Sequence, residues 1–198
     1  MPQIKAQPRG RPASTSREDV ARIALDLFAR QGFEQTTIDE IAQAVGVGRR
    51  TLFRYFSSKN DTVWGSFELV CQRLRDELAA RAPDEPLMTS LRHAAVASNT
   101  YPDDQLPELR IRMTLITTVP ALQAHSMLRY EAWRGVVADF AAQRLDLRPD
   151  DHIPQTIAYA ALGTSIAAFV TWVDDPTRDL AATIDAGYRA LAGGFASF

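Results

Sequence analysis

The sequence predicts an all-α protein, and three observations lead to that prediction. Apolar residues recur at helical spacing through most of the 198 residues, and no segment shows the alternation of a half-buried strand. Helix-capping residues, glycines and prolines separate the periodic segments. We expect about nine helices, arranged as a small N-terminal three-helix unit and a larger C-terminal helical body.

Clear start and stop signals mark the first four helices. The capping pairs are Thr15 with Glu18, Thr37 with Glu40, and Ser58 with Asp61, and the closing glycines are Gly32 and Gly46. The third helix is expected at about 49–56, and the fourth runs from 58 to about 81. Prolines place the later helices at about 86–100, 107–118, 122–145, 154–173 and 176–193.

Composition favours a soluble protein of the cytoplasm. Hydrophobic residues make up 46% of the chain, which is enough for a sizeable core, and the single cysteine, Cys71, excludes an intrachain disulfide. No apolar run follows the basic N-terminus, so we expect no secretory signal. Residues 153–173 carry no charge, but their alanines, threonines and serine favour a buried helix over a membrane span.

Charge is distributed unevenly along the chain. Residues 1–60 carry a net charge of +4 and residues 61–198 a net charge of −6, within the total of −2. A basic N-terminal part on an acidic body suggests that only the N-terminal part faces a polyanion such as double-stranded DNA.

The second and third helices have the lengths of a helix-turn-helix, whose second helix enters the major groove of DNA. On a helical wheel, Leu52, Tyr55 and Phe56 face inward. The outward arc carries Arg50, Thr51, Phe53 and Arg54, with Arg49 at its edge. These side chains can contact base edges or phosphates. Thr36, Thr37 and Lys59 lie near helix starts, where we expect phosphate contacts.

An arginine-bearing segment lies ahead of this unit, at residues 8–12. It is similar to an AT-hook core, and Arg9 and Arg11 are expected in a narrow minor groove. The alternative is a tail that only adds positive charge.

The N-terminal motifs resemble the DNA-binding domain of the TetR family of one-component repressors. The resemblance rests on residues 17–67, including Thr36-Thr37-Ile38, Val45-Gly46-Val47, Thr51-Leu52-Phe53, Tyr55-Phe56 and Ser58-Lys59. It implies a homodimer on a palindromic operator that a small hydrophobic or amphipathic effector releases. It also implies DNA contacts at Thr37, Arg49, Arg50, Thr51, Phe53, Arg54 and Lys59, with Tyr55 a weaker candidate. Gly48 departs from the family, which often has serine there.

A second resemblance extends into the body. Residues 119–126 and 129–134, together with the third helix, are similar to the regulators of the mycofactocin system. That resemblance implies long-chain acyl-CoA as the effector, and the expected basic partners of its head group are Arg110, Arg112, Arg129 and Arg134.

Large side chains spread over several body helices predict a ligand cavity or, alternatively, an ordinary core. The candidate ligand-binding residues are Trp64, Phe67, Leu91, Met113, Ile116, Arg129, Trp133, Val137, Phe169 and Trp172. Arg129 has a second interpretation, a surface ion pair with Glu131. Stripes on the last two helices predict a dimer interface at Ile157, Ala160, Ala161, Thr164, Ala168, Trp172, Leu180, Ile184, Tyr188 and Leu191.

We therefore expect a flexible basic arm at 1–14, a helix-turn-helix DNA-binding domain at 15–60, and a ligand-binding and dimerisation domain at 61–198. No phosphate-binding loop, serine-nucleophile elbow or zinc-protease motif is present, so we expect no enzyme, catalytic residue, metal or cofactor. One alternative is a similar regulator of a transporter or catabolic gene with another hydrophobic effector. A ligand-binding adaptor without DNA binding is a further alternative.

Overall fold

The computed structural model describes residues 15–194, and in this range the chain forms ten α-helices, one short 3-10 helix and no strand. The helices are α1 (Arg17–Gln31), α2 (Ile38–Val45), α3 (Arg49–Tyr55), α4 (Lys59–Trp64), α5 (Phe67–Ala79), α6 (Leu87–Ser98), α7 (Leu106–Thr118), α8 (Pro120–Leu145), α9 (His152–Asp174) and α10 (Leu180–Ala192). The all-α prediction is confirmed. The arm with Arg9 and Arg11 lies outside the described residues.

Helices α1–α3, which we call the head, pack around a core that includes Phe28, Ile41 and Leu52. The predicted capping box of α1 is displaced by one residue, because Ser16 and Asp19 form it. The carbonyl of Thr15 instead accepts a hydrogen bond from the Tyr55 hydroxyl at 2.8 Å, which ties the end of α3 to the start of α1.

The second helix begins and ends as predicted. Thr37 and Glu40 form a reciprocal capping box, and Gly46 closes the helix in the left-handed conformation that glycine adopts without strain. Gly48 then stands at the N-cap of α3 and offers no side-chain cap.

The predicted single helix over 58–81 is wrong, because the chain breaks at Gly65. Gly65 has φ +56° and ψ −134°, so α4 ends at Trp64 and α5 starts at Phe67. The guanidinium of Arg112 on α7 packs against this break: a Cβ atom at position 65 would lie 3.0 Å from its Nη1. The same Nη1 donates a hydrogen bond to the carbonyl of Val63 in the last turn of α4.

The first turn of α4 is held by α8. Asp61 is buried, and its Oδ1 lies 2.8 Å from Nε2 of His125 and accepts a 2.9 Å hydrogen bond from Arg129. Ser58 donates to the other carboxylate oxygen at 3.0 Å. Burial alone would raise the pKa of Asp61, but these hydrogen bonds outweigh burial and hold the pKa below its usual range.

Helix α9 packs between α8 and α10 in the core of the body. Its residues Ala158, Ala161, Ser165, Ala168 and Trp172 are buried within one protomer. By length and composition α9 could cross a membrane, but the core helix of a soluble protein has the same properties. Helix α10 starts four residues after the predicted position 176, because Asp179 caps it by accepting from the Ala182 N–H.

This packing corrects six of the residues predicted for the dimer interface. Ala161, Ala168, Trp172, Leu180, Ile184 and Tyr188 all lie in the protomer core. Tyr188, for example, donates its hydroxyl hydrogen to the Ala161 carbonyl at 3.1 Å and lies 3.0 Å from Ser165 Oγ. Another face of α9 is exposed, and we call it the α9 stripe: Thr156, Tyr159, Gly163, Ala167 and Val170.

We predict that Asp61→Asn lowers the free energy of unfolding by roughly 1 to 3 kcal/mol at neutral pH, because it removes a buried, hydrogen-bonded charge. Since folding lowers the pKa of Asp61, the carboxylate stabilises the fold above its unfolded pKa, and this stabilisation is lost as the pH falls through the folded pKa. Urea unfolding at pH 7 and below about pH 4 measures the difference.

The control for this prediction is Glu68→Gln. Glu68 also contacts Arg129, but its side chain is 66% exposed, so we expect a change within about 0.5 kcal/mol. If Asp61→Asn lowered the free energy of unfolding by the same amount at both pH values, the stabilising role of the ionised Asp61 carboxylate would be contradicted.

Candidate DNA-binding surface and ligand cavity

The recognition helix α3 presents a basic, partly aromatic face to solvent. Arg50, Phe53 and Arg54 are exposed, Thr51 is half-buried, and Leu52 packs into the head core. Neither Arg50 nor Arg54 forms an ion pair with another residue of the described range. Their guanidinium groups are therefore available for base edges or phosphates.

Arg49 differs from its neighbours because another helix already holds it. Its Nη1 lies 3.0 and 3.1 Å from the two carboxylate oxygens of Asp39 on α2, and its Cζ lies 5.7 Å from the centre of the Phe53 ring. Both partners are exposed, so the pair orients Arg49 with little gain in stability.

Three side chains predicted to contact DNA already bind other residues of the protein. Thr36 is 1% exposed, and its hydroxyl donates to the Gly32 carbonyl at 2.7 Å. Lys59 donates to the carbonyls of Phe33 and Thr36 at 2.8 and 3.1 Å and lies 4.3 Å above the Phe33 ring centre. Tyr55 is bound to Thr15, as described above. Burial removes the Thr36 hydroxyl from reach of DNA, and one donor of the Lys59 ammonium is left for a phosphate.

Thr37 is exposed, but its capping box already brings a negative charge to the start of α2. The Glu40 carboxylate accepts from the Thr37 N–H at 2.7 Å and from its hydroxyl at 2.8 Å. These bonds lower the pKa of Glu40. A DNA phosphate that binds Thr37 therefore has to share the N–H and hydroxyl of Thr37 with this carboxylate, or displace it.

A cavity of about 690 Å³ lies in the body and reaches the head. The sequence-predicted residues on its wall are Trp64, Phe67, Met113, Ile116, Trp133 and Phe169. The other four do not line it. Leu91 and Val137 fill the core, Arg129 binds Asp61, and Trp172 lies under Arg110, whose Cζ is 4.0 Å from the ring centre.

The polar part of the wall combines Arg112, one of the arginines expected near the ligand, with residues that the sequence did not predict for this site. Where Glu18 of α1 meets the α4–α5 break and α7, four residues form what we call the polar corner: Glu18, Ser66, Glu108 and Arg112. Ser66 donates to Glu18 at 2.6 Å, which lowers the pKa of Glu18, and Arg112 donates to Glu108 at 2.7 Å. The i,i+4 spacing of Glu108 and Arg112 is visible in the sequence, but their proximity to Glu18 depends on the fold.

The predicted basic surroundings of the ligand are mostly absent. Of the four expected arginines, only Arg112 lines the cavity. Arg134 lies 3.9 Å from the Tyr159 ring centre, and Arg110 donates to the Trp172 carbonyl. Arg110 also lines a smaller cavity of about 460 Å³, which shares Asn99 and Tyr101 with the first.

A three-helix head with an exposed basic recognition helix, joined to a helical body that encloses a cavity, defines a helix-turn-helix transcription regulator with a ligand-sized pocket. Residues 22–62 match the family model of the bacterial regulatory proteins of the TetR family, and residues 85–196 match the MftR C-terminal domain. The chain belongs to the TetR family of transcriptional regulators, in the group that carries the MftR C-terminal domain.

Individual relatives agree with this assignment. The chain is 37% identical over 185 residues to MftR of Mycobacterium tuberculosis, whose name assigns it to the transcriptional regulation of mycofactocin biosynthesis, and the match covers 93% of each chain. FadR of Thermus thermophilus, a TetR-family repressor solved with lauroyl-CoA, has a TM-score of 0.54 at 25% identity, covering 90% of this chain and 94% of FadR. FadR of Bacillus subtilis, solved with stearoyl-CoA, has a TM-score of 0.62 at 17% identity, covering 88% and 97%.

We predict that Arg50→Ala and Arg54→Ala each weaken binding to a cognate operator by about 1 to 3 kcal/mol and relax its sequence preference, as the loss of a base contact does. Lys59→Ala should weaken binding to all sequences and also lower the stability of the head, because it removes two hydrogen bonds to carbonyls. Binding isotherms over a salt series, with thermal unfolding of each variant, measure both effects. Wild-type affinity and preference in both arginine variants would overturn the assignment of this face to DNA.

Proposed function

We propose that the protein is a cytoplasmic one-component repressor that binds a palindromic operator as a homodimer and releases it when a hydrophobic effector fills the cavity. One juxtaposition carries the proposal: the cavity wall includes Glu18 of the head and the α4–α5 break. A bound molecule therefore contacts the elements that set the position of the recognition helix.

We further propose long-chain acyl-CoA as the effector. The buried wall is apolar and aromatic, with Trp64, Phe67, Ile116 and Trp133 among its members, so it suits an alkyl chain. The lauroyl-CoA complex of Thermus thermophilus FadR, with 25% identity over most of both chains, supports this ligand class. Another hydrophobic effector, controlling a transporter or catabolic gene, is the second candidate, since a mostly apolar wall discriminates weakly among apolar ligands.

Acyl-CoA should lower operator affinity increasingly with chain length, because each buried methylene contributes about 0.8 kcal/mol. A preformed protein–operator complex, titrated with acyl-CoAs of increasing length and with free coenzyme A as control, measures the release. No release by any chain length, together with release by an unrelated aromatic compound, would replace the acyl effector and leave the repressor assignment intact.

The α9 stripe is the surface that we propose for the dimer. The stripe consists of uncharged residues, and the opposite side of the helix is buried. A Cβ atom at Gly163 would have no neighbouring atom within 4 Å in the protomer. On α10, Ala182 and Ala186 are exposed as well. Small residues allow close approach of helices, which favours a four-helix interface.

Ala167→Arg in the α9 stripe should dissociate a dimer of about 44 kDa, twice 21.9 kDa, into protomers and abolish tight operator binding. The matched control is Ala79→Arg, at an exposed position near the end of α5. Sedimentation velocity and operator titration report the outcome. If Ala167→Arg remained a dimer, the interface would lie elsewhere. Ala161 and Ala168 are unsuitable for this test, because they are buried in the protomer and an arginine there would disrupt the fold.

A further inference from the structure

The polar corner of the cavity has a charge balance that selects among ligand groups. Its one guanidinium, Arg112, stands beside two carboxylates, Glu18 and Glu108, so the corner carries a net charge of −1. Asp76 and Arg73 on the same wall have opposite charges, so together they add no net charge. A carboxylate or phosphate placed here would face more negative than positive charge.

Uncharged carbonyl and amide groups of a ligand find hydrogen-bond partners in the polar corner. Arg112 can donate to a carbonyl oxygen, and the carboxylates of Glu18 and Glu108 can accept from an amide N–H.

Arg112 also connects the corner to the head. One side of its guanidinium donates to the carbonyl of Val63 at the end of α4, and the other side binds Glu108. Its Nη1 lies against Gly65, where the chain breaks. A ligand carbonyl that accepts a hydrogen bond from Arg112 therefore competes with the Val63 carbonyl, whose hydrogen bond to Arg112 holds the last turn of α4.

We propose that the polar corner binds the uncharged segment of an acylated ligand, a thioester carbonyl followed by an amide, and discriminates against a free fatty acid. Arg112 is the positioning residue that links this contact to α4. The inference rests on the proposed function, because it specifies which part of an acyl-CoA the corner recognises. In this proposal the phosphates of coenzyme A are outside the corner and contribute little to its selectivity.

The first experiment compares three probes that share a twelve-carbon chain: dodecanoyl-CoA, the neutral thioester S-dodecanoyl-N-acetylcysteamine, and dodecanoate. Isothermal titration calorimetry should give dissociation constants for the two thioesters within about threefold of each other and about tenfold or more weaker binding for dodecanoate. Glu108→Gln should strengthen dodecanoate binding selectively, since it removes one repelling charge.

The outcomes of this comparison separate the two proposals. Dodecanoate binding as tightly as the neutral thioester, or an unchanged ratio in Glu108→Gln, overturns the role of the corner and leaves the acyl effector in place. Failure of all three probes to bind overturns both proposals.

The second experiment tests the link to α4 through the ratio of operator dissociation constants with and without saturating S-dodecanoyl-N-acetylcysteamine. Arg112→Gln should bring this ratio close to 1, and Arg112→Lys, which keeps a charged donor, should restore part of it. The matched control is Arg110→Gln, two residues away on α7 and outside this cavity, which should keep the wild-type ratio. If Arg112→Gln kept the wild-type ratio, Arg112 would have a structural role only, and the proposed coupling between the ligand and α4 would be overturned. The Glu108→Gln comparison keeps the corner testable if Arg112→Gln does not fold.

Discussion

The six-residue helix α4 depends on charged side chains from the body at both of its ends. Asp61 in the first turn is fixed by His125 and Arg129 of α8, and the last turn is fixed through the Val63 carbonyl by Arg112 of α7. A helix this short has little stability of its own. The position of α4 therefore depends on these hydrogen bonds, and since α1 of the head packs directly against both α4 and α7, a shift of α4 changes a contact of the head.

Arginine has two distinct roles in this chain, and only the structure separates them. Arg50 and Arg54 are exposed and without ion-pair partners in the described range, whereas Arg110, Arg112 and Arg144 donate to backbone carbonyls. The planar guanidinium suits both tasks, because it can satisfy several acceptors at once. The body is acidic overall, and its arginines are largely committed to holding helices and loops together.

Local patterns were predictable where a short segment determines its own structure. The Thr37 and Ser58 caps, the Gly46 stop and the inward position of Leu52 follow from spacing alone. The break at Gly65 was not predictable in the same way, since the apolar spacing continues through it and the stabilising partner, Arg112, is 47 positions further on. The buried and free faces of α9 were also ambiguous, because small apolar residues occur all around the helix.

The positions of the three tryptophans give this protein an intrinsic optical signal. Trp64 and Trp133 lie on the cavity wall, and Trp172 lies beneath the guanidinium of Arg110 beside the smaller cavity. With no other tryptophan in the chain, the indole fluorescence comes entirely from side chains that border these two spaces. Displacement of water from the larger cavity changes the polarity around these indole rings, so their emission reports on the interior without any added label.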